Sequence, residues 1–288
     1  MTDGLIGIIG GSGLYEMEGL ESVEERRVET PFGQPSDAYI MGTLAGRRLA
    51  FLPRHGRGHR LMPSELNFRA NIFGFKLLGA EWLISASAVG SMREDLPPRH
   101  IVIPDQFFDR TKGRISTFFG DGIVVHVSFG DPTCPLLGKQ LLTAGQSVGA
   151  RMHWGGTYLC MEGPQFSTRA ESRIYRSWGV DVIGMTNLQE AKLCREAEIC
   201  YATLATVTDY DVWHDTEADV SVEGVLAVLG QNTETAKAII KAAVSSFSVR
   251  RVGCPCPYAL RDAIITPPAS IHPHVRERLR PIIGKYVP

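Results

Sequence analysis

"PSELNFRANIFGFKLLGAEWLISASAVGS", Pro63–Ser91, sets a helix and a strand end to end. Leu66, Ala70, Phe73 and Leu77 recur at helical spacing and predict one apolar face. Ser64 stands where an amino-terminal cap belongs, and Gly79 where a helix ends. "EWLISASAVG", Glu81–Gly90, then has the apolar continuity of a buried strand and closes in small residues. A helix feeding a buried strand points to α/β architecture.

The pattern recurs outward from this stretch. "LIGIIGGSGL" (Leu5–Leu14) and "RRLAFLPRHG" (Arg47–Gly56) read as strands entering polar turns. "HIVIPDQFF", "GIVVHVSF" and "ICYATLATVTDYD" read as further strands. "STRAESRIYRSWG" and "NLQEAKLCREAEI" read as amphipathic helices, and "VSVEGVLAVLGQNTETAKAIIKAAVSSF" as a long helical segment. No repeat, low-complexity tract or long linker divides the chain, so one domain over residues 1–288 is expected. The Pro-rich segment 254–288 is expected to be a loop with a short helix, packed on the body or on a neighbouring subunit.

Bulk composition narrows the function. The 288 residues are 44% hydrophobic and 21% charged, with a net charge of -1. No basic stripe favours nucleic acid, and no apolar run approaches a membrane span. The opening Met-Thr-Asp-Gly does not read as a signal peptide, so a cytoplasmic location is expected. The 6 cysteines are then expected to be reduced and buried. Cys254-Pro-Cys256 would need a second cysteine or histidine pair to hold zinc; only His272 and His274 follow it, so no metal is expected.

Several strand ends offer ligand chemistry. Gly10-Gly11-Ser12-Gly13 exposes backbone N–H groups and a hydroxyl, which suits an anion or simply makes a tight turn. Arg54-His55 adds a guanidinium fork and an imidazole, or else begins a solvated basic loop. Ser87-Ala88 lies in a run of small residues that would admit a ligand or merely pack closely. Asp209 and Asp211, at the end of an apolar strand, sit two apart and so project to one side of an extended chain. In open α/β sheets such turns meet at one crevice.

"IGIIGGSGL", "ETPFGQPSDAYIMG", "RHGRGH", "PSELNFRANIF", "EGPQFSTRAES", "MTNLQEAKL", "EICYAT" and "TDYDVWH" together carry a resemblance. In order and spacing they resemble the 5'-methylthioadenosine phosphorylases of the trimeric purine nucleoside phosphorylase family, from about Ile6 to about Leu229. The resemblance implies a central mixed β-sheet, in the form of a distorted barrel, flanked by helices. It implies phosphorolysis of 5'-methylthioadenosine to adenine and 5-methylthioribose 1-phosphate. Inorganic phosphate would be the co-substrate and no cofactor would be used.

By the same resemblance, Ser12, Arg54, His55, Ser87, Ala88 and Thr186 would hold phosphate. Met185 would lie against the ribose, Phe166 would stack on the purine with Ser167 beside it, and Asp209, Tyr210 and Asp211 would meet the base. Val222, Val225 and Leu226 would surround the methylthio group, although periodicity alone reads them as core. His126 would reach in from the next subunit, which implies a trimer or a pair of trimers. Gly184 stands where some relatives carry a larger polar residue. Cys254-Pro-Cys256 resembles a Cys-x-Cys disulfide of thermophilic archaeal relatives and leaves the redox state open.

Cleaving an N-glycosidic bond leaves negative charge on the purine. A buried carboxyl beside a second acid can hold a proton for N7 near neutral pH. Asp209 is assigned that proton, and the Asp209–Asp211 pair the 6-amino group. Four rival readings remain: a broader purine nucleoside phosphorylase, a nucleoside hydrolase, a non-catalytic nucleoside binder, and a metal hydrolase using His214, Asp209, Asp211 and Asp215.

Overall fold

The computed structural model describes residues 4–246 and 251–287. Its centre is strand β5, Ala80–Ser91, 12 residues long. Its first half pairs in parallel with β1, Leu5–Gly10, which pairs in turn with β4, Arg47–Pro53. Its opposite edge pairs with β11, Cys200–Asp209, over nearly the whole length. Only at Gly90 and Ser91 does β10, Val182–Gly184, join on the β1 side. The edge of β5 from Ala86 to Val89 therefore lies between the end of β1 and the start of β10, covered by neither.

The remaining strands extend this frame. β3, Tyr39–Leu44, and β2, Glu21–Arg26, run outward from β4. β9, Thr157–Met161, and β7, Gln106–Arg110, continue from β10, while β6, Ile101–Ile103, and β8, Met152–Trp154, follow β11. Among the described residues the ends β2 and β7 do not meet. The sheet is mixed and single, as expected, but it curves without closing into a barrel.

Both faces are covered. Along β1, Leu5 and Ile9 pack with Phe73 of α1, Phe68–Leu77, Ala191 of α4, Asn187–Glu196, and Leu279 of α6, Pro273–Ile283. The alternate residues Ile6 and Ile8 pack with Leu141 of α2, Pro135–Ser147, and Ile240 of α5, Val222–Ser246. This period-2 division is what a doubly covered strand requires. The sixth helix, α3, Arg169–Ser177, begins in a capping box in which Thr168 accepts from the Glu171 N–H. The C-terminal segment packs on the body through buried Val275, Leu279 and Ile283.

Some sequence expectations need correcting. The cap of α1 is Asn67, whose side chain accepts from the Ala70 N–H, not Ser64. Ser64 belongs to a separate turn, Pro63–Glu65, closed by the Glu65 carboxylate accepting from the Met62 N–H. Leu77, at the carboxyl end of the predicted apolar face, is exposed. "HIVIPDQFF" divides into two strands in different parts of the sheet. "GIVVHVSF" forms none; within it Val125 makes an isolated bridge to Ile264 of the C-terminal segment. α4 is buried on nearly all sides rather than amphipathic.

Candidate active site

A cavity of about 520 Å³ opens along the uncovered edge of β5. Ala86, Ser87, Ala88 and Val89 form its floor, and Gly11, Arg54, His55, Thr186 and Asp209 reach it from the carboxyl ends of β1, β4, β10 and β11. Phe166, Met185, Asp211, Val222 and Val225 also line it. Ser87 and Ala88 lie inside a continuous strand, not in a turn. Ser12 opens the short turn after β1; its side chain falls outside the described residues.

On the anion side, Arg54 is 3% exposed and largely occupied by protein. Its Nε donates to Glu190 Oε1 at 2.5 Å, and its Nη2 to Glu190 Oε2 at 3.2 Å and Ser85 Oγ at 2.6 Å. Nη1 donates to the Ala86 carbonyl at 3.0 Å, its one partner among the described residues. Burial acts to lower the Arg54 pKa, but the Glu190 carboxylate overrides it and raises it. Glu190 also accepts from Ser85 and from the Tyr201 hydroxyl, and Asn187 donates to Ser85 and Thr203. The fork that the sequence suggested for phosphate is thus mostly turned inward. Glu190, which orients it, was hidden in a helix read as amphipathic.

His55 is pushed down to about 4, chiefly by burial and then by the Arg54 charge. Its Nδ1 lies 2.8 Å from the Leu61 carbonyl, which can only accept, so Nδ1 carries the hydrogen of the neutral ring. Nε2 is then an acceptor.

The opposite end of the cavity holds the acids. Asp209 Oδ2 accepts from the Thr208 hydroxyl at 2.7 Å, and Oδ1 accepts from the Asp211 N–H at 2.8 Å. The two residues are tied together by this turn, through the Asp211 backbone N–H and with Asp211 at φ 54, rather than by extended alternation. Burial raises the Asp209 pKa against the pull of these two hydrogen bonds, and the Asp211 carboxylate adds to the rise. Asp211 is likewise raised by burial, offset in part by the Ser172 and Ser167 hydroxyls. Among the described residues Asp211 Oδ2 is buried without a hydrogen-bond partner. Gly90 makes room for the pair: a Cβ there would stand 2.9 Å from Asp209 Oδ1 and 3.1 Å from Ile183 Cγ2. Gly184 makes room in the same way for the Tyr158 hydroxyl, which donates to Asn187 Oδ1.

Other expected site residues lie outside the wall. Tyr210 turns away and packs edge-on against Trp213, its hydroxyl donating to the Glu94 carbonyl. Ser167 sits behind Asp211. Leu226 is 61% exposed, and Leu229, one turn on, lines the cavity instead. His126 is exposed and lies outside this cavity. His214 pairs with Glu94 at 3.0 Å and is not part of the wall, so the metal-hydrolase constellation is not assembled. The sequence also missed Val220, Ile183 and the segment His59–Pro63, all of which line the cavity.

A strand-end crevice with anion donors at one end and buried acids at the other defines a class. The chain belongs to the phosphorylase superfamily, whose family model matches residues 5–245. Among its relatives, the S-methyl-5'-thioadenosine phosphorylase of Geobacter sulfurreducens is 60% identical over 98% of this chain and 99% of that protein. The protein of the same name from Koribacter versatilis is also 60% identical, over 98% of this chain and 96% of its own length. A crystal structure of a methylthioadenosine phosphorylase from an antarctic soil metagenomic library superposes with a TM-score of 0.92, at 48% identity and 98% coverage of both chains. The methylthioadenosine phosphorylase of Schistosoma mansoni in complex with adenine gives a TM-score of 0.81 at 35% identity, over 85% of this chain and 92% of that one. No helix among the described residues is long and apolar enough to cross a membrane.

Proposed function

We propose that this chain cleaves S-methyl-5'-thioadenosine with inorganic phosphate, giving adenine and 5-methylthioribose 1-phosphate. The observation that carries this reading is one cavity with three chemistries in line: anion donors, an apolar middle and a raised-pKa acid. Phosphate sits against Arg54, His55, Ser12, Thr186 and the free edge at Ser87 and Ala88. The ribose lies against Met185 and the purine against Phe166. The base edge meets Asp209 and Asp211, with Ser167 and Tyr210 supporting them from outside the wall.

A phosphate oxygen attacks C1' as the C1'–N9 bond breaks, and the bonding pair leaves with the purine. Asp209 delivers its proton to N7, which neutralises the departing base. The phosphate charge stabilises the cationic ribose in the transition state. The displacement passes no electrons to an acceptor and phosphate is itself the nucleophile, so no cofactor is required. An acid pair facing the 6-position favours an amino group over a carbonyl oxygen, hence adenine over hypoxanthine. Val220, Val222, Val225 and Leu229 supply an apolar surface for the methylthio group.

Val222 and Leu226 are 66% and 61% exposed at the start of α5. A second copy of the chain would cover them and bring its His126 to the cavity, in a trimer or a pair of trimers; sedimentation equilibrium tests this. Adenosine is a second substrate to compare, since a Schistosoma mansoni relative is described as an adenosine/methylthioadenosine phosphorylase. The deciding assay is adenine release from methylthioadenosine with and without phosphate, beside adenosine and inosine. Phosphate-dependent cleavage of the adenine nucleosides alone is expected; phosphate-independent release would make the chain a hydrolase.

A further inference from the structure

We propose that Cys134, Cys200, Cys254 and Cys256 form a tetrathiolate site for one Zn²⁺, which pins the C-terminal segment to the sheet. The sequence reading found no second pair for Cys254-Pro-Cys256 because that pair comes from distant parts of the chain. Cys134 precedes α2 and Cys200 opens β11. The four Sγ atoms all lie within 4.8 Å of one another, and Cys254 Sγ is 3.6 Å from Cys134 Sγ and 3.4 Å from Cys200 Sγ. Four sulfurs placed tetrahedrally at a Zn–S distance of about 2.3 Å stand roughly 3.8 Å apart. The two Cys254 pairs reach this spacing with shifts of a few tenths of an ångström, and the widest pair with at most about 1 Å. Four thiolates in tetrahedral array select a borderline-soft cation of this kind over magnesium or calcium.

The surroundings suit a closed structural site. All four residues are at most 5% exposed and sit in an apolar cluster with Leu137, Ala202 and Val244. Backbone N–H groups of Leu137 and Cys256 are directed at Cys134 and Cys254, supplying the donors that thiolate ligands commonly receive. Cys160 and Cys194 provide an internal contrast. Each is buried and stands apart from the cluster.

The pin has a mechanical consequence. Cys254 and Cys256 precede the stretch that ends in α6, whose Val275, Leu279 and Ile283 cover one face of the sheet. The metal joins that stretch to the base of β11, the strand whose far end carries Asp209. Beside it, Glu198 accepts from the Leu260 N–H and the Tyr286 hydroxyl and pairs with Lys285, so two neighbouring anchors hold the same segment.

The test uses the full-length protein purified under reducing conditions. Elemental analysis and native mass spectrometry are expected to find one zinc per chain, released by a mercurial that titrates four thiols. Exchange for Co²⁺ is expected to give the thiolate-to-metal charge transfer and intense visible bands of a tetrahedral sulfur site. The Cys254→Ser/Cys256→Ser double variant should lose both signals, and Cys160→Ser/Cys194→Ser should keep them. Four free thiols without stoichiometric metal, or disulfides among the four, would overturn the proposal. So would a cobalt spectrum unchanged in the Cys254/Cys256 variant. The measurements on the parent protein decide the matter even if that variant fails to fold, and none depends on the phosphorolysis reading.

Discussion

The two ends of the cavity are built on opposite principles. At the proposed phosphate end nearly every polar atom of the supporting layer is already bonded: Arg54 to Glu190, Ser85 and Ala86, and Asn187 to Ser85 and Thr203. At the proposed base end Asp209 is held above its ordinary pKa, and among the described residues Asp211 keeps one buried oxygen without a partner. The first end is arranged before substrate arrives, so binding an anion needs little reorganisation. The second end is kept electrostatically unsatisfied, and the proposed base would relieve it. Stability and chemistry are thus divided between the ends, and mutations should separate them.

The largest expected effect is on stability at the phosphate end. Glu190→Ala removes the only carboxylate on Arg54 among the described contacts and leaves the guanidinium buried. Breaking such a pair costs about 3–5 kcal/mol. Urea titration should show that fall, and a loss below about 1 kcal/mol would mean that water or another group replaces Glu190.

At the base end the same kind of change should leave the fold intact and remove the chemistry. Asp209→Asn cannot supply the N7 proton, and kcat should drop by roughly 10²–10⁴. The stability effect has the opposite sign. The folded pKa of Asp209 is raised, so its favourable contribution is complete below the unfolded value, near 3.8, and is lost as pH rises through the folded one. Thermal unfolding of the Asn variant should match the parent at acid pH and exceed it at neutral pH. Equal activity in parent and variant would remove Asp209 from the mechanism.

A subtler break moves the acid without deleting it. Gly90→Ala sets a methyl against Asp209 Oδ1 and Ile183, displacing the carboxyl by a fraction of an ångström. A loss of about tenfold in kcat is expected, with little change in unfolding. If Gly90→Ala unfolds the protein instead, the base end is as tightly constrained as the phosphate end and the contrast fails.

What the sequence made legible follows the same division. Strand β1 and its glycine turn, strand β11 and the paired acids stand in single short stretches whose composition announces them. Glu190 does not, because a helix buried on every side carries the polar residues of an amphipathic one, and only the fold shows that they point inward. Ser87 and Ala88 read as the small-residue end of a strand, and composition alone does not separate close packing from ligand contact. The gap beside them exists only because β1 stops and β10 starts elsewhere. Cys134 and Cys200 were invisible as partners of Cys254 since no local spacing joins them. "GIVVHVSF" has the composition of a strand, yet it makes only isolated bridges among the described residues, one local at Ile123 and one at Val125 to a tail segment more than a hundred residues on.

The smallest predicted effect concerns a proton at the phosphate end, where the supporting layer is otherwise complete. His55 is neutral from well below neutral pH upward, with its hydrogen on Nδ1 and committed to the Leu61 carbonyl. Its Nε2 lone pair would repel a phosphate dianion. Binding must therefore either protonate His55 or take phosphate in its singly charged form, and in both cases one proton enters with the anion above phosphate's second ionisation. Phosphate affinity should then weaken by about tenfold per pH unit in that range. Isothermal titration in two buffers of different ionisation heat should show uptake approaching one proton per phosphate. His55→Gln, whose amide can donate without titrating, should abolish that uptake while phosphate still binds. Proton uptake that persists in the variant would assign it to another group. A parent protein that takes up none would mean that His55 turns its Nδ1 hydrogen from Leu61 toward the anion, and the phosphate end would then be no more preorganised than the base end.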